Sequence, residues 1–285
     1  MLTINGLQKH YPDFDLDVSF NVPDGQIVGL IGRNGAGKST TFQTILGLIQ
    51  PDSGELKLFG HPLNTLTATD KAKIGATFPD SFFAETLTIN ALSKILAATY
   101  TTAFDATAFL HTAAQQQLPL NKPLRDFSTG MKAKVKLLVA LSHQAQFLVL
   151  DEPTSGLDVV VRQEIIGLLQ DYLAADESRS ILISSHISSD LEQLADVIIM
   201  IDAGKIVLQE DTDVLLNDYG IIKVTADAFA TLDKKQLIAT RKTAYGYAGL
   251  TNQRQYYQEN YPQLAIEKGS LDELLLLLTK EDDVQ

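Results

Sequence analysis

The chain opens with two stretches in which apolar and polar residues alternate, Leu2–Tyr11 and Phe14–Val22, and then turns at Pro23-Asp24-Gly25. A period of two predicts strands that bury one face. The next run, QIVGLIG (Gln26–Gly32), is apolar almost throughout, as expected of a strand covered on both faces. It leads into a glycine-rich segment and then into TTFQTILGLI (Thr40–Ile49), which reads as a helix. Pro51–Glu55 is a second turn signal, and ELKLFG after it a short strand.

Between about Thr86 and Leu118 the chain is rich in Ala, Leu, Thr and Gln, with apolar residues at helical spacing. This stretch predicts a helical insertion. Two more apolar runs end in polar residues, FLVLDEP (Phe147–Pro153) and SILISSH (Ser180–His186). The helix-like VVVRQEIIGLLQDYLA (Val159–Ala174) lies between them, and DVIIMIDAGKIVLQE then predicts a hairpin turning at Ala203-Gly204. Strands alternating with helices indicate an α/β fold with a mostly parallel core sheet. Past Asp211, where a soft boundary falls, five of the nine tyrosines gather (Tyr245, Tyr247, Tyr256, Tyr257, Tyr261). Ser270 and Glu273 form a capping-box pattern that starts a terminal helix before the run Leu274–Leu278.

Composition narrows the function. The net charge is −12, and acidic residues outnumber basic ones both before Thr212 (24 to 15) and after it (11 to 8). A nucleic-acid partner is therefore not expected, because phosphate backbones are held by clustered Lys and Arg. There is no cysteine, which rules out disulfides and thiolate-held metals. No window approaches the ~20 consecutive apolar residues of a membrane helix, and the N-terminus lacks the apolar core of a signal peptide. The expectation is a soluble chain that reaches a membrane through a partner.

GRNGAGKS (Gly32–Ser39) fits the spacing of a phosphate-binding loop, G-x-x-x-x-G-K-[ST]. Gly35 and Gly37 allow the backbone N–H groups to converge, and the following helix presents its positive end. Lys38 is placed for the β and γ phosphates and the Ser39 hydroxyl for Mg²⁺. Asp151 and Glu152 close the buried run FLVL, at the strand end where α/β sheets bind ligands. In such a site Asp151 holds the metal and Glu152 acts as general base toward water. His186 ends another apolar strand and is a candidate contact for the γ-phosphate.

From Asp126 to Asp158 the chain reads DFSTGMKAKVKLLVALSHQAQFLVLDEPTSGLD. This segment resembles the signature and Walker B block of the ABC ATPase family, and the resemblance extends over about Leu2–Glu210. Tyr11 lies where that family places an adenine-stacking aromatic. Gly32, Arg33, Asn34, Gly35, Ala36, Gly37, Lys38, Ser39 and Thr40 match its Walker A motif. Ser128, Gly130 and Met131 fall on its signature, Phe147–Glu152 on Walker B, Ser155–Asp158 on the D-loop, and His186 on the switch histidine.

The resemblance implies a P-loop NTPase of ABC type, with an N-terminal antiparallel β subdomain and a helical insertion at about 82–130. On this reading residues 1–211 are the ATPase domain and 212–285 a C-terminal extension. It implies ATP and Mg²⁺ as cofactors, and a head-to-tail homodimer or heterodimer with a second ABC ATPase. Ser128 and Gly130 would then face the γ-phosphate bound by the partner, and Met131 and Asp158 are further candidate nucleotide contacts. It also implies a separate multi-span permease, so that the chain works in the cytoplasm on the inner face of the membrane.

Two departures stand out. The signature reads FSTGM, with Thr129 for a glycine and Met131 for a glutamine. The Q-loop region, Ile74–Thr88, contains no glutamine, and Pro79 or Asp80 takes its place; Asp80 is the candidate substitute metal ligand. IGA (Ile74–Ala76) and STGMK (Ser128–Lys132) are similar to ATPase subunits of bacterial exporters of the bacitracin and multidrug-resistance group. Phe82 and Phe83 mark a candidate groove for a permease helix. Two alternatives remain at this point: a soluble ABC ATPase outside transport, and a weakly hydrolysing regulator.

Overall fold

The computed structural model of the chain describes residues 1–80 and 83–279. Among them, ten strands form one sheet: β1 (Leu2–Tyr11), β2 (Phe14–Val22), β3 (Ile27–Ile31), β4 (Ser53–Leu58), β5 (His61–Pro62), β6 (Ile74–Thr77), β7 (Phe147–Leu150), β8 (Ser180–Ser184), β9 (Val197–Asp202) and β10 (Lys205–Asp211). Four more, β11 (Gly220–Val224), β12 (Leu237–Thr243), β13 (Gly246–Thr251) and β14 (Ala265–Glu267), form a second sheet. The helices are α1 (Lys38–Ile45), α2 (Ala68–Lys71), α3 (Ile89–Tyr100), α4 (Ala106–Gln115), α5 (Thr129–Leu141), α6 (Val159–Ala174), α7 (Ser188–Leu194), α8 (Thr212–Asn217), α9 (Ala226–Thr231), α10 (Arg254–Asn260) and α11 (Leu271–Leu278).

The large sheet has the order β5-β4-β1-β2-β10-β9-β3-β8-β7-β6. Its half from β9 to β6 is parallel, and every residue of β3, β7 and β8 is buried, as the unbroken apolar runs predict. The other half pairs antiparallel, and β2 alternates between exposed and buried residues because only one of its faces is covered. Strand β10 links the halves, antiparallel to β9 and joined to β2 by the parallel pairing of Lys205 with Asp17. The turn between β9 and β10 falls at Ala203-Gly204, both at positive φ, as the hairpin reading expects.

The insertion forms a helical layer with its own core. Leu92 and Leu96 of α3, Phe109 of α4, and Val135 and Leu138 of α5 pack there around Leu124 and Phe127. Each such buried side chain stabilises the layer by about 1.5–3 kcal/mol relative to exposure. Thr88, Asp105 and Ser128 cap the three helices with side-chain oxygens. Phe83 is partly buried and packs against this layer; Phe82 lies outside the described residues.

Residues 212–279 do not hang free. Leu215, Tyr219, Ile221, Ala248, Leu250 and Leu274 share one core cluster with Ile31, Leu150 and Ile183 of the large sheet. Three of the tyrosines, Tyr256, Tyr257 and Tyr261, gather around Asp233: Tyr257 is fully buried and donates its hydroxyl to the Asp233 carbonyl at 2.6 Å, while the Tyr261 hydroxyl accepts from the Asp233 N–H at 3.2 Å. Burial pushes the Tyr257 phenol up to about 12. Tyr245, at the β12–β13 turn, is 93% exposed.

Candidate active site

The site begins where β3 ends. The loop after it turns through Gly35 and Gly37, at φ +81 and +111, and α1 starts at Lys38. A Cβ at Gly37 would lie 2.9 Å from Phe14 Cζ, so both the backbone angle and the neighbour call for glycine. Lys38 is 7% exposed, and its Nζ donates to the carbonyls of Gly32 at 2.6 Å and Arg33 at 3.3 Å. Burial lowers the Lys38 ammonium below its ordinary value, and the charges of Glu152 and Asp151 act in the opposite direction. The first turn of α1 points N–H groups without intrahelical partners into the loop, which makes an anion cradle.

Strands β7 and β8 deliver the acidic side of the cleft. Asp151 is 3% exposed; one carboxylate oxygen accepts from Ser39 Oγ at 2.8 Å and the other from Ser184 Oγ at 2.6 Å. Its backbone N–H donates to the Thr77 carbonyl at 3.0 Å, tying it to β6. Glu152 has the left-handed φ of +51, a conformation an L-residue holds only when its surroundings impose it. Here its N–H donates to Ser184 Oγ at 3.0 Å. Its carboxylate accepts from the His186 N–H at 3.1 Å, and the same oxygen is engaged by His186 Nδ1.

Residues from four distant segments therefore converge at the carboxyl ends of adjacent parallel strands. The cavity there measures about 280 Å³ and is bordered by the loop Arg33–Thr40, Phe14, Pro79, Asp151 and Glu152. Among the described residues no group of three or more His, Asp or Glu could hold a metal by itself. A Mg²⁺ site in a nucleotide enzyme does not require one, since one or two protein oxygens and the phosphates complete the shell. The Ser39 hydroxyl and Asp151 carboxylate are hard oxygen donors already in contact, so they fit the ion.

The other expected site residues lie elsewhere. Tyr11 is 40% exposed with its ring 6.3 Å from that of Phe14, and Phe14 rather than Tyr11 borders the cavity. Ser128 caps α5, accepting from the Met131 N–H at 3.3 Å, and Asp158 caps α6, accepting from the Val161 N–H at 3.0 Å. Gly130 faces Val161, which a Cβ would approach to 3.0 Å. Ser128, Gly130, Met131 and Asp158 all fall outside the cavity of their own loop.

Pro79, not Asp80, is the Q-loop residue that borders the cavity. Lys136 of α5 donates to the carbonyls of Phe78 at 3.0 Å and Pro79 at 2.7 Å, beside the cleft that Pro79 borders. The Asp80 charge acts on Lys136, offsetting part of the burial that lowers that ammonium. Ser184, Phe14 and Lys136 were not singled out from sequence. Ser184 had a signal, as the first polar residue closing an apolar strand; the other two depend on long-range packing.

The fold, and the way its strands carry the loop and the carboxylates to one end, define a P-loop nucleotide-hydrolysing cassette. The ABC transporter family model matches residues 16–155. A lantibiotic transport ATP-binding protein of Streptococcus pyogenes is 32% identical over 225 residues, 75% of this chain and 92% of that protein. A bacitracin transport ATP-binding protein of Bacillus licheniformis is 37% identical over 195 residues, 66% of this chain and 62% of that one. Among solved structures, an ATP-binding subunit of an ABC transporter is similar with a TM-score of 0.65 at 26% identity, covering 75% of this chain and 91% of that one. A dimeric cassette bound to ADP and Pi shares the fold with a TM-score of 0.64 at 22% identity, covering 74% and 99%. The chain belongs to the ABC transporter family, among its ATP-binding, ATP-hydrolysing subunits. Among the described residues no helix is long and apolar enough to cross a membrane.

Proposed function

We propose that this chain hydrolyses ATP to drive export through a separate multi-span permease, with residues 1–211 as the ATPase domain and 212–285 as an extension. The observation that carries the reading is the convergence of Lys38, Ser39, Asp151, Glu152 and His186 in one cleft. The direction of transport follows that of its relatives, one of which is a Nod factor export ATP-binding protein.

In this reading the loop N–H groups and Lys38 hold the β and γ phosphates, and Phe14 flanks the nucleotide beside the exposed Tyr11. Ser39 and Asp151 hold Mg²⁺, which supplies charge neutralisation on the phosphates when bound. Glu152 takes the proton of the attacking water, and its bond to His186 fixes where its carboxylate points. Ser128, Gly130, Met131 and Asp158 lie outside their own cavity because they serve the nucleotide of a second ATPase subunit arranged head to tail. A helix start with a Ser hydroxyl and free N–H groups is suited to that anionic contact. Nucleotide between the subunits then favours the dimer, and its hydrolysis releases it.

Affinity purification from native membranes in mild detergent tests the assignment. A stoichiometric multi-span protein is the expected companion. Recovery with ribosomes, or with no companion at all, would overturn the transport reading and leave a soluble ATPase.

A further inference from the structure

The switch histidine is followed at once by α7, and α7 is held from three sides. Inward, it packs on β3, the strand that leads to the phosphate loop. On the side of the D-loop, Asp190 of α7 is 3% exposed and faces Arg162 of α6 at 3.6 Å. The third side belongs to the C-terminal unit. Ser188 Oγ donates to Asp272 Oδ2 at 2.8 Å, and the Leu271 N–H donates to Glu192 Oε1 at 3.1 Å. Beneath these bonds Leu191 and Leu194 of α7 share a core cluster with Leu271, Leu274 and Leu275 of α11.

Helix α11 is itself fixed to the second sheet. Ser270 and Glu273 form its capping box, and Arg241 of β12 donates to the Leu276 carbonyl at 2.9 Å. Bonds thus run from the second sheet through α11 to Ser188 of α7, two residues along the backbone from His186, whose N–H donates to Glu152. A seven-residue helix with no side-chain cap of its own does not hold a fixed place by itself. Its seat comes from its neighbours.

We infer that the C-terminal unit positions the switch: Asp272, bonded to Ser188, seats α7 so that His186 meets the Glu152 carboxylate in the geometry used for hydrolysis. This inference rests on the proposed ATPase function. Asp272 is exposed and touches neither nucleotide nor reacting atoms, so it is a positioning residue.

The test compares Asp272→Ala with Asp272→Asn, whose amide oxygen still accepts from Ser188. Asp272→Ala is expected to lower kcat about two- to tenfold, the worth of one hydrogen bond, with KM for ATP and the melting temperature unchanged. Asp272→Asn is expected to restore most of the rate. Hydrogen exchange of the His186 amide is expected to quicken in Asp272→Ala and not in Asp272→Asn, while the phosphate loop exchanges as in the wild type. Should Asp272→Ala fail to fold, Ser188→Ala removes the same bond from the other side. Unchanged kcat together with unchanged exchange at His186 overturns the inference, and so does an equal loss in both Asp272 variants. Wild-type protein without turnover would count against the ATPase function instead, and the exchange comparison would still decide the positioning role.

Discussion

Ser184 and Asp151 are joined by a 2.6 Å hydrogen bond, and the same Ser184 hydroxyl accepts the Glu152 N–H at 3.0 Å. One side chain thereby fixes both members of the Asp-Glu pair, through the carboxylate of the first and the backbone of the second. Ser184→Ala leaves a buried carboxylate oxygen and a buried N–H without their partner. The expected cost is about 1–3 kcal/mol, or roughly 2–4 °C of melting temperature per kcal/mol for a chain of this size. Ser184→Thr keeps the hydroxyl and should melt near the wild type in differential scanning calorimetry; equal melting of Ser184→Ala would show that the bond contributes no net stability.

Glu152→Gln keeps the shape of the side chain and removes its basicity. Turnover is expected to fall on the order of 10²-fold or more, with ATP still bound. Steady-state hydrolysis beside a nucleotide titration checks this, and equal turnover in the two proteins would remove Glu152 from its role.

Lys38 brings a positive charge into a cradle of carbonyls and N–H groups at 7% exposure. Lys38→Met preserves much of the packing and removes the charge-assisted hydrogen bonds, each worth about 1.5–3 kcal/mol. ATP affinity is expected to fall about 10- to 100-fold, measured by calorimetric titration. Undiminished affinity would place the phosphates away from this loop.

His143 is 2% exposed at the end of α5, with Nδ1 and Nε2 each 3.1 Å from a carbonyl, of Val139 and Ile74, and its ring stacked on Tyr100. Burial lowers its pKa from the ordinary imidazole value, and the two carbonyls offset part of that. The unfolded chain then takes up a proton at a higher pH than the native protein does. Stability from the neutral ring is complete above pH ~6.5 and is lost as pH falls through the lowered native pKa, by up to about 1.4 kcal/mol per pH unit. Urea titrations between pH 7 and pH 5 should show this slope in the wild type and a flatter one in His143→Asn. Parallel slopes would mean that other groups set the dependence.

Much of the fold was legible because its signals are local. The sixteen residues Val159–Ala174 are α6 as the pattern predicts, and the Ser270–Glu273 capping box is present in the structure. The phosphate loop, Asp151, Glu152 and His186 were equally plain, since each terminates a short buried strand. The second sheet was not. Strand β12 (LIATRKT) leaves every position at least partly exposed, and β14 has three residues, so neither carries a strong apolar period of two. The sequence leaves open which of Pro79 and Asp80 borders the cleft, because the position of Lys136 on α5, 56 residues after Asp80, cannot be seen from the Q-loop stretch. Lys136 holds the carbonyls of Phe78 and Pro79, and Pro79 borders the cleft.

The turn at Ala203-Gly204 has a practical bearing. From sequence it looks like any hairpin tip, open to a tag or an inserted domain. Yet the Gly204 N–H donates to the Ala36 carbonyl at 3.0 Å, and its carbonyl accepts from the Asp17 N–H at 2.8 Å. A Cβ at Gly204 would fall 1.8 Å from the Asp15 carbonyl oxygen. This one residue bonds the phosphate loop on one side and the antiparallel strands on the other, so added chain there would part the two. The hairpin tip at Tyr245, 93% exposed, is the place to attach a fluorophore or splice in a reporter.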